Sequence, residues 1–308
     1  MPFYQNCTAW EYSLFFRKYV ISIMSTSIPL RFLAMLCLFL FLGSCITDDE
    51  AGTVIENSVR TQIPDAVFEQ FLVDQGIDDA VDGSVSSEAI SGVEELDMTD
   101  IPVASLNGLQ DFTALRKFLI RSTQLTSFDP NPNTQLRYLS TNGCVNLTSL
   151  PVNSLSLLDT LYMSNNNSLL SLDVSQNTNL KSLHVIADKL ENLVLPQSET
   201  NQFIDLILLN TELTSIDLSP FEELEKVRIE DNKLGSLDLS SNLNLLEVDC
   251  SGNPLAMLNL ANGSNEMLEL MDARDTEVGC IQIDVGFDPP ADGSWQKDAQ
   301  TIYSDSCQ

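Results

Sequence analysis

From about residue 93 the chain places its apolar side chains on a fixed template, Leu-x-x-Leu-x-Leu-x-x-Asn-x-Leu-x-x-Leu-x-Leu, with other apolar residues standing in for Leu. The first position falls at Val93, Leu115, Leu136, Leu158, Leu180, Phe203, Leu224, Leu245 and Leu268, in steps of 21 to 23 residues. One copy reads Leu224, Val227, Ile229, Asn232, Leu234, Leu237, Leu239, and the next Leu245, Val248, Cys250, Asn253, Leu255, Leu258, Leu260. In the copies at Leu136 and Leu158 an extra residue after the Asn position slips the second apolar pair by one. The alternation inside each copy reads as a short strand with one buried face, so Phe118 and Ile120 point inward while Lys117, Leu119 and Arg121 point outward. A coil this short cannot bury its own apolar edge, and neighbours must stack into a continuous core. Ahead of the repeats, Ile63-Pro64-Asp65 followed by Val67, Phe68, Phe71, Leu72 and Gly76 predicts a short amphipathic helix with start and stop signals. That helix would close the N-terminal end of the stack, as a cap over residues 61–92.

The template resembles the leucine-rich repeat family, with repeats of bacterial type, over roughly residues 93–283. The resemblance implies a leucine-rich repeat solenoid, of α/β class with little helix, holding about nine repeats across residues 93–279. It also implies a turn in which buried Asn side chains satisfy the backbone. Here that column holds Ile101, Thr123, Cys144, Asn166, Asp188, Thr211, Asn232, Asn253 and Thr276, so the ladder is degenerate. Residues 280–308, through Trp295 to Cys307, are similar to the terminal module of related surface repeat proteins and predict a C-terminal cap.

The N-terminus reads as an address. Arg31 precedes an apolar run from Phe32 to Leu42, which is short for a membrane span of about 20 residues and has the layout of a secretory signal. The run ends Leu42-Gly43-Ser44-Cys45, which resembles a bacterial lipobox. The resemblance implies cleavage before Cys45 and acylation of that cysteine, so that residues 1–44 are lost. An uncleaved anchor helix is the alternative. Met24 would start a signal of conventional length, which leaves Met1 and Met24 both open as the start. Residues 45–60 lack periodicity and read as a tether. Its cluster Asp48-Asp49-Glu50 resembles the surface-export signal of lipoproteins in one group of Gram-negative bacteria, the alternative being a solvated acidic spacer. The expected address is the cell envelope, as an outer-membrane lipoprotein exposed at the surface.

Charge then excludes whole classes of function. Among 308 residues, 15 Lys and Arg stand against 44 Asp and Glu, a net charge of −29. Nucleic acid and polybasic docking on anionic lipid both need a basic footprint. At 44% hydrophobic residues the chain nevertheless has enough apolar material to fold. His184 is the one histidine, which rules out a cage of imidazoles and leaves any imidazole catalysis to a single side chain. Ser164, Ser182, Asp159 and Asp205 lie near it in register, but no second feature of an active site accompanies them. No cofactor is expected. Asp78-Asp79-Ala80-Val81-Asp82-Gly83 opens like an EF-hand loop, yet Ala80 and Ala89 occupy two ligand positions, and a capping turn is the expected reading.

Of the seven cysteines, Cys7 and Cys37 leave with the signal and Cys45 takes lipid. Cys144 and Cys250 lie five repeats apart, about 24 Å, beyond disulfide reach, and read as buried small hydrophobes. The oxidising compartment implied by the lipobox allows Cys280 and Cys307 to pair, the alternative being two free thiols.

The outward strand positions form one sheet face. Its central column runs Leu119, Ser140, Tyr162, His184, Ile207, Arg228, Asp249, Asp272. Arg121, Asn142, Ser164, Ile186 and Leu209 flank it on one side, and Lys117, Tyr138, Thr160, Ser182 and Asp205 on the other. Arg116, Lys117, Arg121 and Arg137 make the N-terminal end basic, the middle is apolar and aromatic, and the C-terminal end is acidic. Aromatic and aliphatic residues beside arginines suit a protein-binding surface. The expected ligand-binding residues are Arg121, Tyr138, Tyr162, His184, Ile186, Ile207, Leu209 and Arg228. The resemblance places them on the concave face, the family's usual binding surface. The reading is a monomeric, non-catalytic surface protein that binds a protein or other macromolecule outside the cytoplasm. A carbohydrate-binding module is the alternative.

Overall fold

A computed structural model describes residues 59–186, 189–197 and 202–307. The signal segment, Cys45, the tether up to residue 58 and Asp188 lie outside the described residues. Among these, ten parallel strands form one sheet. They are Glu95–Met98, Lys117–Arg121, Tyr138–Asn142, Thr160–Ser164, Ser182–Ile186, Asp205–Leu209, Lys226–Arg228, Glu247–Asp249, Leu270–Ala273 and Trp295–Lys297. Each strand pairs with the corresponding strand of the next repeat, so Tyr162 stands beside His184 and His184 beside Ile207. The second apolar pair of the template also forms strands. Ser171–Asp173 pairs with Asn192–Val194, while Ser236–Asp238, Met257–Asn259, Cys280–Gln282 and Ile302–Ser304 make a four-stranded sheet. The chain is thus a parallel β solenoid of leucine-rich-repeat type with little helix.

The template positions fill the space between these sheets. Leu224, Val227, Ile229, Leu234, Leu237 and Leu239 are all buried, as are Leu245, Val248, Cys250, Leu255, Leu258 and Leu260 in the next coil. Full burial of each such side chain is worth about 1.5–3 kcal/mol. After eight of the ten face strands the chain turns through a left-handed residue: Asp100, Ser122, Gly143, Asn165, Asn210, Asp231, Gly252 and Asp275. Gly and short polar side chains are the types that tolerate this conformation. At Gly252 a Cβ would collide with the Asp231 carboxylate of the preceding coil.

Two ladders of asparagine hold the corners. The first uses the expected column: Asn232 Nδ2 donates to Leu208 O at 2.7 Å, and Asn253 Nδ2 to Ile229 O at 2.6 Å. Thr123 and Thr211 occupy the same column and donate to Cys144 Sγ and Asn232 Oδ1. The second ladder lies three residues before the first Leu position and was not expected. Asn133 donates to Leu109 O and Phe112 O at 2.8 and 3.1 Å. Asn177 donates to Val152 O and Leu155 O at 2.9 and 2.9 Å, and Asn242 to Leu218 O and Phe221 O at 2.9 and 2.8 Å.

The N-terminal cap pairs Arg60–Gln62 antiparallel to Ser84–Ser86 and buries Phe68, Phe71 and Leu72 of the helix Ala66–Asp74. Asp65 caps that helix, accepting from Val67 N and Phe68 N at 2.9 and 3.2 Å with one oxygen. Its other oxygen accepts from Ala104 N and Ser105 N of the first coil, both at 2.8 Å. Burial pushes the Asp65 carboxyl up, but these four N–H bonds outweigh it and hold the group below its ordinary value. A second helix, Ser87–Ser91, follows and buries Ile90.

The acidic turn is organised around an anion. Glu69 is buried, and its Oε1 accepts from Asp82 N, Gly83 N and Ser84 N at 2.9, 2.6 and 2.8 Å. A calcium loop turns carbonyls and carboxylates inward, whereas this loop turns N–H groups inward. Asp82 pairs with Arg60 at 3.2 Å. Among the described residues no three His, Cys, Asp or Glu gather to hold a metal ion, and no helix is long and apolar enough to cross a membrane.

At the other end Trp295–Lys297 supplies the tenth strand of the face and Ile302–Ser304 the edge of the opposite sheet. A disulfide joins Cys280 to Cys307, with 5.8 Å between their Cα atoms. Closing a loop of this size stabilises the fold by about 3–4 kcal/mol. Cys144 and Cys250 are buried thiols, as their repeat positions implied, and burial pushes the Cys250 thiol far above its ordinary range.

The ladder yields a stability test. Asn177→Ala leaves Val152 O and Leu155 O without their donor in a buried corner, and should lower unfolding stability by about 2–4 kcal/mol. Asn179→Ala removes an exposed bond to Ser156 O and should cost under about 0.5 kcal/mol. Equal losses in denaturant unfolding would exclude a structural ladder at Asn177.

Candidate functional site

The face strands alternate with period two, so from Lys117–Arg121 to Asp205–Leu209 the second and fourth members fill the core and the first, third and fifth stand on the ten-stranded face. Tyr138, Tyr162, His184, Ile186, Ile207 and Leu209 all occupy it and are all half-buried. Arg121, Tyr138 and Tyr162 come together around a depression of about 200 Å³, joined by Thr99, Leu119, Ser140 and Asn142. The next two rungs continue the surface as an apolar ribbon, with Ile186 beside Leu209 and His184 beside Ile207. Tyr162 meets the His184 ring edge-on, 5.7 Å between centroids.

Charges divide along the face. Arg116 pairs with Glu94 at 3.3 Å and Lys117 with Glu95 at 2.5 Å, and the Glu95 hydrogen bond pushes the Lys117 ammonium up. Arg121 and Arg137 are exposed and carry no ion pair among the described residues. The basic end is therefore narrower than its four cations suggest. Arg228 does not join the patch as a free cation. Its guanidinium meets Glu230 at 2.5 Å and Glu247 at 3.7 Å, while Lys226 holds the other Glu247 oxygen at 2.7 Å. Burial raises the Glu230 carboxyl, Arg228 lowers it and nearby Asp249 raises it further, so the group stands above its usual range. Arg274 is clamped by Asp272 at 2.5 Å.

His184 is the titratable centre of the face. Burial pushes its pKa down, with Asp205 opposing and Lys226 adding to the shift. Ser182 Oγ donates to Asp205 Oδ2 at 3.1 Å and lies 3.5 Å from His184 Nε2. The carboxylate therefore holds the serine instead of orienting the imidazole, the reverse of what a Ser-His-Asp triad requires. What the arrangement does offer is a hydrogen-bonding, half-apolar surface.

Thr99, which closes the depression at the first rung, was absent from the residues singled out by sequence. It follows Met98, one position past the strand, where the alternation no longer says which way a side chain points.

No protein-family model matches this chain, and a search of curated proteins finds no match. Among solved structures the chain is similar to the functional domain of InlJ from Listeria monocytogenes, which includes a cysteine ladder, at 20% identity and a TM-score of 0.47. That likeness covers 75% of this chain and 63% of that one, so the chain spans less than two thirds of the InlJ domain. Internalin C2 from the same species is similar at 19% identity and a TM-score of 0.48, over 74% of this chain and 99% of that one. The leucine-rich repeat domain of the type III effector XopL is similar at 16% identity and a TM-score of 0.37, over 69% and 76%.

With one histidine in the chain, its titration can be read without assignment. The His184 Hε1 resonance should titrate with a midpoint below 6.5, shift upward in Lys226→Met and further downward in Asp205→Asn. Because the folded pKa is depressed, stability is full above pH 6.5 and declines as the pH falls below it. A midpoint above 6.5 in the native protein would show that Asp205, not burial, dominates.

Proposed function

We propose that the protein is a cell-envelope lipoprotein, anchored by acyl chains on Cys45, that binds a partner protein through its ten-stranded face without catalysis. The observation that carries this reading is the patch of half-buried Tyr138, Tyr162, Ile186, Ile207 and Leu209, joined through His184, on four successive rungs. Aromatic and aliphatic residues in one patch beside a cation suit a protein interface core. The leucine-rich-repeat fold presents that patch on a rigid sheet, so little order has to be gained on binding. The lipobox-like Leu42-Gly43-Ser44-Cys45 supports the envelope address, and the Cys280–Cys307 disulfide suits an oxidising compartment. Surface exposure rests on Asp48-Asp49-Glu50 behind the lipid. A carbohydrate ligand is the second reading, favoured by the two tyrosines that meet Ser140 and Asn142 in the depression.

Protease treatment of intact cells should degrade the native protein, and Cys45→Ala should release it from the envelope. Protection until lysis would move the protein to the inner leaflet or periplasm. On protein and glycan arrays, the native protein should bind protein spots, and Ile207→Asp should lose that binding by about tenfold or more. Glycan binding that survives Ile207→Asp would favour the second reading.

A further inference from the structure

The order of charges along the face is not required by the repeat. Its C-terminal cations are each neutralised, Arg228 by Glu230 and Glu247, Lys226 by Glu247, and Arg274 by Asp272. At the N-terminal end Arg121 stands exposed without an ion pair among the described residues, in a chain whose net charge is −29. Its neighbour on the flanking column is Asn142, where a carboxylate would have closed a pair. Arg121 also forms the wall of the Tyr138–Tyr162 depression. A planar guanidinium beside tyrosine rings suits bidentate pairing with a carboxylate.

Resting on the protein-binding reading above, we propose that the face takes an extended segment of a partner protein. An Asp or Glu of that segment seats against Arg121 in the depression, and its apolar residues lie along Ile186, Ile207 and Leu209. The aliphatic ribbon selects a peptide over an acidic sugar, because a sugar ring gains by stacking on aromatic faces and little from isoleucine or leucine. The register fixes the spacing. From Arg121 to Leu209 the pairing runs through Asn142, Ser164 and Ile186, four strand intervals or about 19 Å. An extended chain covers that distance in roughly six residues. The segment therefore carries its acidic residue about six positions from its apolar anchor. Turned end for end, the acid would meet Glu230, Glu247 and Asp249 and be repelled.

The test is selection of phage-displayed random dodecapeptides on the native protein, with Arg121→Glu and Ile207→Asp selected in parallel. Peptides enriched on the native protein should place Asp or Glu about six residues from an aliphatic or aromatic residue. As synthetic peptides they should bind Arg121→Glu about tenfold or more weakly, and binding should weaken as salt rises. Replacing the peptide's acid by Asn or Gln should cost about tenfold against the native protein but should not weaken binding to Arg121→Glu, where it removes a carboxylate–carboxylate repulsion, the signature of a direct pair. Arg121 is exposed, so an unchanged melting curve should accompany the loss. Enriched peptides that need Ile207 but tolerate Arg121→Glu would overturn the carboxylate pairing and leave the protein-binding reading standing. Absence of peptide enrichment, with anionic glycans bound on an array, would overturn both. A face covered by a second copy, seen as a dimer in solution that Arg121→Glu dissociates, would also overturn the proposal.

Discussion

Each coil of the solenoid turns backbone carbonyls into its dry interior at the corners, where neither water nor a neighbouring strand can satisfy them. An unpaired buried carbonyl costs about 1–3 kcal/mol, and a stack of coils repeats that cost at every corner. Asparagine answers it with two N–H donors on a short stem. Asn177 reaches back one coil to both Val152 O and Leu155 O, and Asn133 and Asn242 do the same one coil behind them. One amide serves two carbonyls, so the same position in the preceding coil is free to be apolar, as at Phe112, Leu155 and Phe221. That column thus mixes large hydrophobes with buried amides, Asn265 included, instead of filling every site alike.

That corner chemistry holds the face strands in register and leaves their outward side chains without a structural duty. The side chains on the C-terminal rungs nonetheless use one another. Lys226, Arg228, Glu230 and Glu247 form a closed set of charges whose members satisfy each other across adjacent strands. Arg121, Tyr138, Tyr162, Ile186, Ile207 and Leu209 form no such set. The contrast separates an end of the sheet held by paired charges from a stretch held by ring and aliphatic contacts, such as Tyr162 against His184.

The register of the face was legible because the inward residues of the face strands are nearly all apolar and buried, so a slip by one would expose Val227 and Ile229 together. The Asp65 helix was legible for a similar reason, since its cap and its apolar spacing agree. The second ladder was not, because Asn133, Asn177 and Asn242 fall three residues before the template begins, where the pattern assigns no role. The helix Ser87–Ser91 is barely more than one turn and has no side-chain cap bond, too short to leave a periodic signal. The acidic Asp78–Gly83 segment reads as a turn from its sequence, but its organising group does not show there, because Glu69 stands on the helix Ala66–Asp74, 13 residues before Asp82. The neutralisation of Arg228 depends on partners two residues along and one strand over, which column lists show as neighbours without saying which charges meet.

The two ends of the stack are secured by different chemistry, and this bears on where a binding surface can sit. Asp65 ties the cap helix to the first coil by four charge-assisted bonds, while Cys280–Cys307 ties the last two strands of the opposite sheet covalently. In a solenoid each coil gains stability only from its neighbours, so an unsecured end frays and fraying spreads inward. The face strands from Tyr138–Asn142 to Asp205–Leu209 lie between these ends, each paired with a strand on either side. An apolar ribbon placed there is presented on a rigid sheet, and a ligand that crosses several rungs meets them already in register. A partner segment of the kind proposed would then lose its own freedom on binding without having to order the face strands as well.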